Sequence, residues 1–287
     1  MGKTTIAAVA GTFARGDDAN LAQIGRTLRK ARAAGAALVV LPECSLGGYL
    51  EPETPGPIDP HGAEIARLIE LAGDTVVCAG YVEPGPDGPY SSAVCVSGDG
   101  VLGRHRKVHV PPGEAGRFAA GEEFEAFDTP VGRLGMLLCY DKVFPEAARS
   151  LALDGAEVIA SLAAWPVCRV RPARRIAGDH QTRQFNLLDE ARALENQVVW
   201  VSANQVGTFG GLRFLGHAKV VDPRGVVLAS TSARAGIAVA DVDVSGALGG
   251  ARAIYSHLGA RRPAAYGQRR PTACSPARLK LGAPGPA

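Results

Sequence analysis

This sequence predicts an α/β fold in which sheet packs on sheet and helices lie outside. Three observations predict it. Strand-like segments outnumber helical ones, β–α–β order recurs at least three times, and no shift in composition divides residues 1–267. Those residues read as one domain. The last stretch, 268–287, is rich in Pro, Gly and Arg and reads as a flexible tail or an arm on a partner subunit. A chain of 287 residues buries roughly 75% of its unfolded surface, so it needs no disulfide or metal staple.

The elements follow in order. Residues 4–10 are a first strand. Asp17 and Asp18 can cap a helix with Leu21, Ile24 and Leu28 at helical spacing, and Gly35 closes it. Leu38–Leu41 is a short, continuous apolar run, the mark of a strand buried on both faces. A Pro/Gly loop (51–60) precedes a helix over 62–72 carrying Ile65, Leu68 and Ile69. Strands follow at 75–82, 92–97 and 101–107, the last two joined by the turn Gly98-Asp99-Gly100. Strands near 124–128 and 133–139 flank Pro130-Val131-Gly132. A helix then starts at Pro145, a residue suited to a first turn, and runs to Leu153. Next come a strand (156–162), a basic loop (165–177), a helix (179–195) and a strand (198–203). Two strands flank the turn Asp222-Pro223-Arg224-Gly225, and a last one covers 236–242.

Composition excludes several classes of function. Lys and Arg exceed Asp and Glu by three, which gives no reason to invoke nucleic acid or an acidic membrane. No stretch approaches the roughly 18 apolar residues of a membrane span, and the N-terminal apolar run is too short for a signal segment. A cytoplasmic location is expected. The six cysteines (44, 78, 95, 139, 168, 274) form no CxxC pair, so neither a zinc nor a redox signature is present, and no metal or cofactor is expected. Gly2-Lys3-Thr4-Thr5 mimics the end of a phosphate loop but lacks the upstream glycine.

Three buried strands end in reactive residues. Leu38–Leu41 delivers Glu43, the strand through Arg106 delivers Lys107, and Leu134–Leu138 delivers Cys139. Strand ends at one rim are where α/β sheets place their sites. A thiol, a carboxylate and an ammonium together suit acyl transfer: nucleophile, proton carrier and oxyanion partner. A nearby cation lowers a thiol pKa, whereas burial and a carboxylate raise it, and the sum is not legible here.

At these residues the chain resembles the nitrilase (carbon–nitrogen hydrolase) superfamily. Leu41-Pro42-Glu43, His105-Arg106-Lys107-Val108-His109 and Cys139-Tyr140-Asp141-Lys142-Val143-Phe144-Pro145-Glu146 look like its three signature segments, in order. Leu151–Glu157, Ala164-Trp165-Pro166, Asn196, Asn204, Gly216-His217, Asp222–Gly225, Arg261-Arg262-Pro263 and Tyr266 are similar to supporting stretches. The likeness runs from about residue 4 to 267. It implies a four-layer αββα sandwich, usually paired into a homodimer, and a Glu-Lys-Cys triad without metal or cofactor.

The resemblance gives Glu43 the acid/base role, Lys107 the oxyanion role and Cys139 the nucleophile role. It adds a second glutamate after the lysine loop; Glu114 is favoured, and Glu122 and Glu123 stay open. The Tyr140 N–H would be a second oxyanion donor, and Trp165, Tyr49 and Ala164 would line the substrate pocket. The implied reaction is hydrolysis of a small amide or N-carbamoyl compound. Family nitrilases commonly carry Cys-Trp-Glu, whereas this chain has Cys139-Tyr140-Asp141, which disfavours a nitrile. Two further readings compete with hydrolysis: acyl transfer to an amine, and a non-catalytic binding protein on the same fold. Cys44 and Cys168 read as packing residues, His109 and His217 as structural, Asp141 as support for the strand-to-helix turn, and Glu146 as a cap or ion-pair partner near the next helix. The basic run 169–175 reads as a solvated loop, with the alternative that one of its arginines clamps a substrate carboxylate.

Overall fold

The computed structural model describes residues 2–14, 16–49 and 56–267. The first sheet is built on β1 (Thr4–Gly11), β2 (Leu38–Val40) and β3 (Val76–Glu83), which run parallel. Helices α1 (Asp17–Ala33) and α2 (Ala63–Ala72) make the crossovers between them. β4 (Tyr90–Ser97) and β5 (Gly100–Arg106) extend this sheet antiparallel, so β5 again points the same way as β1. The second sheet runs β6 (Ala126–Thr129), β7 (Gly132–Leu138), β8 (Val158–Ala163) and β9 (Val199–Phe209), the last three parallel. Its crossovers are α3 (Pro145–Leu153) and α4 (His180–Asn196). β10 (Leu212–Leu215) and β11 (Lys219–Val221) pair antiparallel with β9, β12 (Val227–Ser230) pairs with β11, and β13 (Gly236–Val242) pairs with β1.

Strand periodicity explains the layering. Alternate residues point to opposite faces. Ile6, Ala8, Leu38, Val40, Val76 and Cys78 pack against Leu134, Met136, Leu138, Val158, Ala160 and Val201 in one core between the sheets. The other face of the first sheet, with Ala7, Val9, Val39 and Val77, buries Ile24 and Leu28 of α1 and Ile65 and Leu68 of α2. The outer face of the second, with Leu137, Ile159 and Trp200, buries Ala147, Ala148 and Leu151 of α3 and Ala193 of α4. The result is the αββα sandwich that the resemblance implies. The two sheets are stitched where Ala10 and Gly11 pair in parallel with Asn204 and Gln205 of β9. That seam aligns their strand directions, so β2, β5, β7 and β8 all end at one rim.

Several expectations need correction. α1 begins at Asp17, and its N-cap position is Gly16, which supplies no side-chain cap. No side chain caps α3 either, and Glu146 stands exposed in its first turn. β9 is longer than expected and folds back into β10 through Gly210 and Gly211, whose positive φ values (56° and 74°) suit a tight hairpin. The structure adds a helix that the sequence pattern does not predict, α5 (Val244–Arg252), capped by the Asp243 carboxylate on the Gly246 N–H at 3.0 Å. The tail 268–287 and part of the 51–60 loop lie outside the described residues.

Candidate active site

Glu43 begins a tight turn beyond β2. The turn presses against β3 at Gly80, where an added Cβ would lie 2.5 Å from the Cys44 nitrogen and 2.7 Å from the Glu43 Cα. Only glycine permits that approach. The Glu43 carboxylate is 1% exposed. Its Oε1 accepts hydrogen bonds from Ser91 Oγ (3.0 Å) and Lys107 Nζ (2.9 Å), and its Oε2 accepts one from the Ala164 N–H (3.1 Å). Burial raises its pKa above the usual carboxylate value; Lys107 opposes that and Glu114 adds to it.

Lys107 follows β5, and its backbone N–H donates to the Ser91 carbonyl at 2.8 Å. The side chain is fully buried, yet its ammonium is doubly paired, with Glu43 and with Glu114 Oε2 at 2.7 Å. Tyr49 donates its hydroxyl to the other Glu114 oxygen at 3.1 Å. Burial alone would push the Lys107 pKa down, but Glu43 and Glu114 outweigh it and hold the ammonium well above its ordinary value. The two carboxylates that flank Lys107 therefore favour its charged form.

Cys139 sits where β7 breaks into a short 3-10 turn, Cys139–Val143. Its φ is +46°, a left-handed conformation costing a non-glycine residue of order 1 kcal/mol or more. Asp141 holds this elbow. Its carboxylate accepts from the Leu138 N–H (3.1 Å) and the His109 N–H (2.8 Å), and contacts His105 Nε2 (3.1 Å) and His109 Nδ1 (2.9 Å). Burial opposes ionisation of Asp141, but the two histidines hold it well below the usual range. Asp141 and His109 thus play the supporting parts expected of them. The Cys139 thiol is pushed far up, first by burial and then by Glu43, against the pull of Lys107. Burial and the neighbouring carboxylate therefore favour the neutral thiol over the thiolate.

These groups meet at a cavity of about 420 Å³. Tyr49, Glu114, Cys139, Tyr140, Ala164 and Trp165 all line it, together with Val167, Cys168, Arg169, Gln181 and Leu212. Glu43 and Lys107 stand behind this wall, each hydrogen-bonded to a group that lines it. Glu122 and Glu123 instead line a separate groove with Glu83 and Arg106. Of the run 169–175, Arg169 and Val170 reach the cavity. Cys44 is buried, and Glu43 and Glu114 assist burial in raising its pKa. His217 lies by Asn186, its pKa lowered to about 4 by burial and Lys219.

Four participants escape sequence reasoning. Ser91 holds Glu43 from mid-strand, where a serine carries no distinguishing signal. Gln205 binds the Glu43 carbonyl through Nε2 (3.0 Å) and the Phe13 N–H through Oε1 (2.9 Å). Asn204 beside it receives the Trp165 N–H at 2.7 Å. Gln181 accepts the Trp165 indole N–H at 2.7 Å. The resemblance marks Asn204 without assigning it a role. A polar pair following the apolar run at the start of β9 is the available clue at 204–205.

Residues 5–248 match the carbon-nitrogen hydrolase family. Over 236 residues the chain is 34% identical to a nitrilase of Pyrococcus abyssi, an alignment covering 79% of this chain and 84% of that one. It is 32% identical over 232 residues to an (R)-stereoselective amidase of a Pseudomonas species, covering 78% and 79% of the two. Its fold matches the crystal structure of an amidase from Nesterenkonia sp. with a TM-score of 0.78 at 26% identity, covering 92% of this chain and 95% of that one.

Proposed function

The chain belongs to the carbon-nitrogen hydrolase family of the nitrilase superfamily, and from that premise we propose that it hydrolyses a small amide or N-carbamoyl compound through a thioester on Cys139. The observation that carries this reading is the buried Lys107 paired with Glu43 and Glu114, next to a cavity with Cys139 in its wall.

In this mechanism the Cys139 sulfur attacks the carbonyl carbon while its proton passes to Glu43. Negative charge gathers on the carbonyl oxygen. Lys107 Nζ and the Tyr140 N–H, at the first turn of the 3-10 segment where backbone donors lack helical partners, stabilise it. Glu43 then gives its proton to the departing nitrogen, which leaves as ammonia or an amine. A water, deprotonated by Glu43, attacks the thioester and frees the acid and the thiol. The raised pKa of Glu43 suits a group that must both take and return a proton. Glu114 keeps Lys107 aligned. Arg169 lines the cavity, which supports the reading that it is the arginine of its run that meets a substrate carboxylate.

The test is intact-mass detection of an acyl adduct after incubation with amides, ureido acids and nitriles, with Cys139→Ala as control. A thioester on the wild type alone, formed from amides or ureido compounds, is expected. Turnover by Cys139→Ala would sink the mechanism. Nitrile hydrolysis is the second reading, favoured by the name of the Pyrococcus abyssi relative. Adduct formation from nitriles but not amides would select it. Added amines appearing in the product would mean acyl transfer instead of hydrolysis.

A further inference from the structure

A second buried ionic cluster lies beneath the elbow that carries Cys139. Lys142 belongs to the same 3-10 turn, three residues on. Its Nζ donates to Asp189 Oδ1 of α4 at 2.7 Å, and Lys219 Nζ of β11 donates to Oδ2 at 2.6 Å. The Trp200 indole N–H also donates to Oδ1, at 2.9 Å. Lys142 and Asp189 are fully buried and Lys219 nearly so. Both ammonium groups face the Phe185 ring, Lys142 at 3.2 Å from its centre and Lys219 at 4.5 Å, and Lys142 also lies 5.3 Å from the centre of the cavity-lining Trp165 ring. Arg192 of α4 donates through Nε to the Lys142 carbonyl (3.0 Å) and through Nη2 to that of Val143 (2.9 Å), tying the turn to the helix.

The charges of the two clusters are opposite. Two carboxylates and one ammonium at the site carry a formal −1. Two ammoniums and one carboxylate beneath it carry +1. A sealed ionic cluster adds little to stability that apolar side chains of similar volume would not, so an unbalanced one needs another reason. Attack by Cys139, with its proton passing to Glu43, leaves the site's net charge unchanged but moves negative charge from the hydrogen-bonded Glu43 carboxylate onto the substrate oxygen beside the elbow. A buried cation in excess, anchored to the same turn, offsets it.

We propose that Lys142, Asp189 and Lys219 act together as a buried counter-charge that positions the Cys139 elbow and stabilises the anionic forms arising there. The proposal rests on the hydrolase reading for its benefit to turnover, but not for its effect on the thiol itself. Cys139 and Lys142 interact electrostatically, each charge favouring the other. The groups facing the Lys142 ammonium are Cys139 on its own turn, Asp189 on α4 and Lys219 on β11, with His217 beside the latter two. Burial brings the Lys142 pKa down to about 8, with Lys219 assisting and Asp189 opposing. One unit charge at about 10 Å in an effective dielectric of about 20 moves a neighbouring titration by roughly one pH unit.

The experiment is the pH profile of Cys139 alkylation by iodoacetamide, read at Cys139 by peptide mapping, alongside kcat and KM. Lys219→Met leaves one balanced Lys142–Asp189 pair. At pH 7, where Lys142 is still charged, it should slow alkylation about ten-fold, and it should lower kcat more than KM. Lys219→Arg should restore both. Lys142→Met, which leaves the Asp189–Lys219 pair, should slow alkylation at pH 7 in the same way. An unchanged alkylation rate at pH 7 in either folded variant overturns the proposal. Failure of both to fold also overturns it, because the cluster would then be a structural prop. Retained turnover in Cys139→Ala would defeat the hydrolase reading and leave the alkylation result standing.

Discussion

Two hydrogen-bonded ionic trios lie on either side of one short turn, and they are near mirror images. At the site, an ammonium is the hub and two carboxylates the arms: Lys107 between Glu43 and Glu114. Below it, a carboxylate is the hub and two ammoniums the arms: Asp189 between Lys142 and Lys219. The first trio abuts a cavity; none of the second lines it. The hub is fully buried in each and fully paired. The difference teaches where each trio is vulnerable. Loss of the lower hub leaves two cations with no anion in a sealed core. Loss of the upper hub leaves two carboxylates that can share a proton beside a cavity. Loss of the lower hub should therefore show in folding, and loss of the upper hub in rate.

Asp189→Asn is the hardest blow to this contrast. It should cost about 3–5 kcal/mol of stability, since it strands buried charge. Urea denaturation measures it, and a loss below about 1 kcal/mol would mean the trio is not ionic in the fold. Lys107→Met should instead leave a cooperatively folded protein whose kcat/KM falls about 10²–10³-fold, the usual cost of losing one oxyanion donor, the part proposed for it. Steady-state kinetics beside an unfolding curve separate the two outcomes.

Asp141 sharpens the picture at the elbow between the trios. Its folded pKa lies below its unfolded value of about 3.9. The stability it contributes is therefore present above that value and lost as pH falls through the folded one. Asp141→Asn should remove of order 2 kcal/mol at pH 7 and flatten the acid dependence below about pH 4, read from urea midpoints across pH. The smallest expected effect is at Ser91. Ser91→Ala deletes one hydrogen bond that favours the Glu43 carboxylate. It should raise the Glu43 pKa further, shift the acid limb of the rate profile upward and cost about 1 kcal/mol, or roughly five-fold in kcat.

In the upper trio Glu43 is legible because it follows the short apolar run Leu38–Leu41, and Lys107 because it ends a predicted strand. Glu114 is legible only through the family resemblance, which implies a second glutamate after the lysine loop. The lower trio is not legible. Lys142 reads as one more charged residue after a strand, Asp189 as the solvated side of a helix and Lys219 as the start of an ordinary strand. Only the tertiary crossing of α4 over the turn and β11 makes them neighbours. α5 is hidden for a different reason: Gly246, Gly249 and Gly250 lie within it, and glycine is a poor helix former. The β10 hairpin is signalled by Gly210-Gly211, but its strands are continuous with polar and basic residues that blur the alternation.

The seam between the sheets has a further consequence. Gln205 grips the Glu43 carbonyl and the Phe13 amide at once, and its neighbour Asn204 grips Trp165 and the Gly216 carbonyl. Two adjacent amide side chains therefore act like the dowel pins of a two-part mould. They transfer the alignment of the halves directly to Glu43 and to one cavity wall. Slack introduced there would register as a poorly aimed reaction before it registered as a weaker fold.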